Sequence, residues 1–289
     1  MLEHDSLRRF LFEKLPIQGR HVHLDASWRA VLERQDYPLP VRALLGEAMA
    51  AMALLSTTLK FDGVITLQVR GNGPVHLLVV QCTSRLSLRG LARWQGDLPD
   101  SGLQRLLGDG RLAITIEPAD GERYQGIVPL EGETLAACLE GYFQRSEQLP
   151  TRLWLTADNE SAAGMLLQVM PVRARDADAW QHVTVLTDTI TRNELKSLSA
   201  QQLLQRLYHE DDVRLFEASP VAFRCQCSHE RIETTLRSLG IAEMNSILRE
   251  QGKVHVDCEF CGRGYDFDEV DVAALFSTPS ALPVSEARH

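Results

Sequence analysis

The chain has 289 residues, enough for one large domain or two smaller ones, and its 44% hydrophobic content supports a real core. A formal net charge of −9 at pH 7, with no basic run, argues against a phosphate-backbone partner such as nucleic acid. No run of about 18 apolar residues is apparent, which disfavours a membrane span, and the opening MLEHDSLRRFLFEKLP is too charged for a secretory signal.

In chain order, the first predicted element is a helix over residues 41–59, VRALLGEAMAAMALLSTTL. Val41, Leu44, Leu45, Ala48, Met49, Met52 and Leu55 recur there at helical spacing. So uniform an apolar face reads as a buried core helix in preference to an adaptable methionine-rich binding surface. GVITLQV, GNGP and VHLLVV then read as strand, turn and strand. The glycines sit inside that hairpin and precede no helix, so they are turn residues and not a phosphate loop. Further strands are predicted at RLAITIEP, RYQGIVPL, TRLWLTA and GMLLQVMPV. Between them TLAACLEGYFQRSEQ places Leu135, Cys138, Leu139, Tyr142 and Phe143 on one helical face. Strands mixed with helices, without regular alternation, define an α+β domain over residues 1–175.

From Asp176 the pattern changes. Residues 176–220 are predicted as a helical connector whose apolar positions come in short clusters, Leu195 with Leu198 and then Leu203, Leu204, Leu207 and Tyr208. Helices this short stand only when their apolar sides are covered by something else, so the connector is expected to dock on its neighbours. Residues 221–275 form a small cysteine-bearing module, and 276–289 read as a disordered tail.

Four of the six cysteines lie in that module, as Cys225 and Cys227 in FRCQCSHE and Cys258 and Cys261 in CEFCG. The composition places the protein in the cytoplasm, where clustered thiols bind metal or do redox work. Zinc takes four thiolates at about 2.3 Å in a tetrahedron. C-x₂-C offers two sulfurs from a turn, and C-x-C offers two because i and i+2 side chains share a face of an extended segment. The intervening SHERIETTLRSLG and IAEMNSILREQG read as two glycine-ended helices that fold back to bring the pairs together, with Ser228 and Glu230 at the first helix start. His229 and His255 lie nearby, but four cysteines already fill a tetrahedral shell, so both are expected to be spectators. Closed four-cysteine sites are ordinarily structural; the C-x-C pairing also raises a redox reading. Sulfurs sharing one zinc lie about 3.8 Å apart, whereas a disulfide needs about 2.05 Å, so oxidising a pair withdraws two ligands. Structural zinc supplies on the order of 10 kcal/mol to such modules, against a folding margin of about 5–15 kcal/mol for a whole domain. Oxidation of the sulfurs is therefore expected to unfold the module.

CQC followed by CEFC, preceded by LLQRLYHEDDVRLFE, resembles the heat shock protein 33 family of redox-regulated holdase chaperones. LKFDGVITLQVRGNGPVHLLVV, GERYQGIVPLEGETLAACLEGYFQRSEQLPTRLWL and AAGMLLQVMP resemble that family's N-terminal domain, so the likeness spans nearly the whole chain. It implies an α+β fold with a large N-terminal mixed sheet-and-helix domain, a helical linker and a small C-terminal four-cysteine zinc-binding domain. It also implies one zinc held by Cys225, Cys227, Cys258 and Cys261 in the reduced, inactive form. Oxidation would pair Cys225 with Cys227 and Cys258 with Cys261, and the family's activity implies ATP-independent binding of unfolding clients and homodimerisation in the active state. The residues agree on one point by themselves: no G-x₄-G-K-[ST] occurs, so no P-loop for ATP is expected.

Two other classes compete. A zinc-ribbon nucleic-acid binder predicts a basic face, yet HVDCEFCGRGYDFDEVDV is acidic. An enzyme using Cys82 or Cys138 as nucleophile lacks a recognisable His/Asp arrangement, and both cysteines read as buried and inert. The expectation is a binding protein, not an enzyme, with no membrane partner.

Overall fold

The computed structural model describes residues 4–58, 62–100, 102–171 and 177–277. The chain divides into two compact units, the first ending at Cys225 and the second starting at Gln226.

The first unit opens with β1 (Ser6–Phe12), β2 (Ile17–Leu24) and the short helix α1 (Ala26–Leu32), followed by α2 (Leu39–Ser56). Then come β3 (Gly63–Gly71), β4 (Val75–Thr83), β5 (Ser87–Trp94), α3 (Leu103–Leu107), β6 (Gly110–Pro118) and β7 (Tyr124–Pro129). Helix α4 (Leu135–Tyr142) runs into a π-helical turn, Phe143–Glu147, before β8 (Thr151–Ala157) and β9 (Ala162–Val169). Helices α5 (Ala177–Thr187), α6 (Arg192–Ser197) and α7 (Ala200–Tyr208) lead to β10 (Val213–Pro220) and β11 (Ala222–Phe223). The strands form a five-stranded sheet, β10-β1-β2-β9-β8, and a six-stranded sheet, β11-β5-β4-β3-β6-β7. Every pairing is antiparallel except that of β11 with β5.

Helix α2 packs on β2, β8 and β9 of one sheet and on β3, β4 and β5 of the other. It is consequently apolar almost all round, as a helix enclosed on two sides must be. In length and composition α2 would pass for a membrane span, which corrects the reading that no such run exists; 72% of it is buried inside the protein. Arg42 and Glu47 interrupt its apolar residues, most of which the fold buries.

Strand β9 shows how the five-stranded sheet is used. It is buried along its whole length: Ala162 and Leu166 join the core around α2, while Ala163, Met165 and Leu167 face the other way. On that outer face they meet Phe10, Phe12 and Ile17 of β1 and β2 and a cover made from the connector: Ala179, Val183, Leu195, Leu203, Leu204, Leu207 and Tyr208. The expected docking of the connector is thus seen, with Leu198 partly buried at its edge. Gly19 stands directly opposite Phe10, and a Cβ there would fall 2.1 Å from the Phe10 ring, so glycine makes room for that ring. The connector is not helical throughout. Its last eight residues form β10, which pairs with β1, because Val213–Pro220 meets the unpaired edge of that strand.

The second unit has α8 (His229–Leu239), α9 (Ile241–Gln251), a hairpin of β12 (Val254–Asp257) and β13 (Gly264–Phe267), and α10 (Glu269–Ser277). Ser228 caps α8 by accepting from the Arg231 amide at 3.3 Å, as the sequence suggested. Gly240 (φ +89) ends α8 and Gly252 (φ +76) ends α9, both in the left-handed region open to glycine. Leu236, Met244, Val254, Phe267, Val272 and Leu275 are buried in this unit. The tail expected from 276 lies, from residue 278 onward, outside the described residues.

Candidate metal centre

The unit boundary falls inside the C-x-C pair. Cys225 follows β11, whose continuation is tied to β5 by the Arg224 amide donating to the Leu88 carbonyl at 3.0 Å. Cys227 immediately precedes the capping residue of α8. Cys258 and Cys261 lie in the connection between β12 and β13, where the Cys258 carbonyl accepts from the amides of Cys261 (3.2 Å) and Gly262 (2.7 Å). The Cys258 amide donates to the Arg263 carbonyl at 2.9 Å, and Gly262 takes φ +68, so the turn is closed from both sides. This is a backbone that aims two sulfurs at one point while its own amides stay satisfied.

All four sulfurs lie within 4.8 Å of one another, with Cys227 and Cys261 at 3.4 Å. Cys258 is buried at 8% exposure; the other three are partly exposed. Four soft donors at such separations fit a tetrahedral metal ion, whose paired thiolates sit about 3.8 Å apart. The second-unit residues around them respond to the concentrated sulfur. The Tyr265 phenol is raised in pKa, first by the Cys227 sulfur and then by desolvation. The Arg263 guanidinium is raised, first by Tyr265 and then by the sulfurs of Cys227 and Cys261.

Neither nearby histidine belongs to the sulfur cluster. His229 hydrogen-bonds Glu233 Oε1 at 2.9 Å and lies against the Phe267 ring at 4.5 Å. His255 is held between Asp266 (2.7 Å) and Asp257 (3.2 Å), and its pKa is raised, chiefly by Asp266. The remaining two cysteines are placed in the first unit. Cys82 is fully buried in β4, where burial pushes its thiol up to about 12, and Cys138 is buried on α4 with its thiol also raised by burial. Both are poor nucleophiles, as expected.

Sequence reasoning missed the apolar face on β1 and β2. Arg8 and Arg9 made the opening look merely charged, although Leu7, Phe10 and Phe12 within it carry the signal of a strand.

A two-sheet α+β domain followed by a four-thiol module defines a class of protein in which a metal-capable cysteine cluster is appended to a much larger fold. A family model described as Hsp33 protein matches residues 5–268. The 33 kDa chaperonin of Nitrosococcus oceani is 52% identical over 289 residues, covering 100% of both chains, and that of Shewanella denitrificans is 50% identical over 277 residues, 96% of each. Among solved structures, the 33 kDa chaperonin (heat shock protein 33 homolog) of Thermotoga maritima superposes with a TM-score of 0.83 at 22% identity. It covers 94% of this chain and 98% of that one, a likeness of fold. The chain belongs to the Hsp33 family.

Proposed function

We propose that this chain is a redox-regulated, ATP-independent holdase that binds unfolding proteins and keeps them from aggregating under oxidative stress. The observation that carries the reading is the gathering of Cys225, Cys227, Cys258 and Cys261 within 4.8 Å in an Hsp33-family chain. In the reduced form these four thiolates hold one zinc ion, which supplies the folding energy a module this small lacks. Residues 1–175 are the stable core, 176–220 the metastable connector, and 221–275 the switch.

Oxidation acts on the sulfurs pairwise. One thiolate of a pair attacks hydrogen peroxide, giving a sulfenic acid and hydroxide. Its neighbour then displaces a second hydroxide and closes the disulfide, so two thiolates and one peroxide become one disulfide and two hydroxide ions. Closing Cys225–Cys227 and Cys258–Cys261 leaves no donor for the metal, and the module loses its staple. The connector then loosens. What it uncovers is the outer face of the five-stranded sheet, with Phe10, Phe12, Ile17, Ala163, Met165 and Leu167, and the edge of β1 that β10 had filled. An apolar face beside an open strand edge is suited to hold exposed segments of other chains. No nucleotide enters this cycle, and the active form is a homodimer. The work is binding, without catalysis, in the reducing cytoplasm. The relatives named above give the zinc-ribbon nucleic-acid alternative no support.

The test compares zinc-loaded reduced protein with peroxide-treated protein in suppressing aggregation of a heat-unfolding client, with metal content measured in parallel. One zinc per chain before treatment, lost as activity appears, is expected. Full activity with four reduced thiols and zinc still bound would overturn the switch, and zinc-free reduced protein would overturn the metal site.

A further inference from the structure

The face of the six-stranded sheet turned away from α2 carries a row of polar residues that ends at a sulfur of the cluster. Gln125, Thr115, Thr66, Gln81 and Arg89 are successive cross-strand partners on β7, β6, β3, β4 and β5. Three of these four steps are also joined side chain to side chain. Gln125 Nε2 donates to Thr115 Oγ1 at 2.8 Å, Gln81 Nε2 to Thr66 Oγ1 at 3.1 Å, and Arg89 Nε to Gln81 Oε1 at 2.8 Å. The last link leaves the row, with Arg89 Nη1 donating to Cys225 Sγ at 3.4 Å. Of the four cysteines, Cys225 is the one within the first unit, anchored beside Arg89 by the pairing of β11 with β5.

We infer that Arg89 is a positioning residue for the switch: its guanidinium, held by Gln81, hydrogen-bonds the Cys225 thiolate and so favours the reduced, metal-bound state over the disulfide. The inference rests on the zinc-thiolate reading above. A thiolate is a charged acceptor and a disulfide sulfur a neutral, weak one, so the bond from Arg89 is strong on one side of the redox step only. Two fixed hydrogen bonds also give this guanidinium a definite direction that a freely moving lysine would lack. Donating to a bound thiolate draws electron density from sulfur and slows its attack on peroxide. Outer partners of this kind ordinarily set metal affinity by about 10- to 100-fold.

The experiment measures zinc affinity by chelator competition and peroxide-driven zinc release with a zinc-sensing dye, in full-length native protein, Arg89→Gln, Arg89→Lys and Arg70→Gln. Arg70 lies on the same sheet, on β3, and removing it changes net charge equally. Arg89→Gln is expected to lose about tenfold in zinc affinity. Its zinc release should be about threefold faster, the gain expected at a Brønsted slope of about 0.5 when loss of the donor makes the sulfur about tenfold more basic. Arg89→Lys should fall between it and the native protein, and Arg70→Gln should match native. In cobalt-loaded samples the sulfur-to-metal charge-transfer band should shift for both Arg89 variants, which a merely structural effect would leave in place. If Arg89→Gln and Arg70→Gln behave alike while the native protein binds zinc and releases it on oxidation, this inference fails and the holdase reading stands. If native protein binds no zinc, the reading beneath it fails. Should Arg89→Gln not fold, Arg89→Lys against Arg70→Gln decides the matter by the same measures.

Discussion

Cys82 and Cys138 share a chain with four clustered sulfurs, and burial separates the two kinds. The Cys82 thiol is pushed up to about 12 and carries almost no thiolate at neutral pH, whereas three of the four clustered cysteines are partly exposed. Peroxide titration followed by mass spectrometry should therefore leave Cys82 and Cys138 reduced after both pairs have closed. The pairs themselves differ. Two residues apart on an extended strand, Cα atoms lie about 6.6 Å apart. That is near the usual upper limit of about 6.8 Å for a disulfide. Cys258 and Cys261 already sit in a closed turn. The Cys258–Cys261 bond should form first, and activity should be complete only when Cys225–Cys227 follows; full activity at the first disulfide would refute the order. Elsewhere, burial lifts the Glu47 carboxyl from 4.5 to about 7, against the pull of Arg192. Between those values the folded chain holds more protons than the unfolded chain, so this group's contribution to stability falls as pH rises through the window. The shift alone bounds the effect at about 3 kcal/mol. Glu47 is partly exposed, and solvent reduces this to about 1 kcal/mol. Denaturant melts should show Glu47→Gln more stable than native at pH 8 by that amount, with the difference vanishing toward pH 5.

At the scale of elements, the connector is built to be dependent. Helices α6 and α7 have six and nine residues, below the length at which a helix stands alone in water. Each carries a capping box, Thr191 with Glu194 and Ser199 with Gln202, so their starts are well defined although their persistence depends on docking. Leu203 is fully buried against the sheet face, and Leu203→Ala should cost about 2–5 kcal/mol of docking. In reduced, zinc-loaded protein that variant should suppress client aggregation without peroxide. Ser199→Ala should act in the same direction at about 1 kcal/mol. Leu39→Ala, at a position 67% exposed, should change nothing; equal behaviour of Leu203→Ala and Leu39→Ala would remove the connector from the mechanism.

For the whole molecule, the two hydrophobic clusters of the first unit have different dependence on the connector. The one around α2 draws on both sheets and on α4, and the other needs α5–α7 as one of its walls. Loss of the connector therefore removes the second cluster and leaves the first closed. Limited proteolysis after peroxide should cut within 177–220 and 226–277 first and leave the core of residues 1–175, with α2 and β3–β9, intact. An apolar-surface dye should brighten over the same time course. Early cutting throughout β3–β9 would contradict a core that outlasts the switch.

Much of this was legible in the residues because it depends on near neighbours. The periodicity of α2, the hairpin turn at GNGP, the glycine ends of α8 and α9, the cap at Ser228 and the two cysteine pairs are all set within a few positions. Strand β10 was not legible, because it pairs with β1 across some two hundred residues, where Arg8 Nη1 reaches the Phe216 carbonyl at 3.2 Å; Leu7, Phe10 and Phe12 of β1 did carry a local strand signal. By itself the sequence determined that four thiols would be presented in two tight pairs beside short, weakly self-sufficient helices. Only the tertiary structure decided that those helices lie over an apolar sheet face and that α2 is enclosed by two sheets. It alone placed Cys225 beside Arg89, since burial and cross-strand register are properties of distant segments meeting and no local pattern encodes which of them will meet.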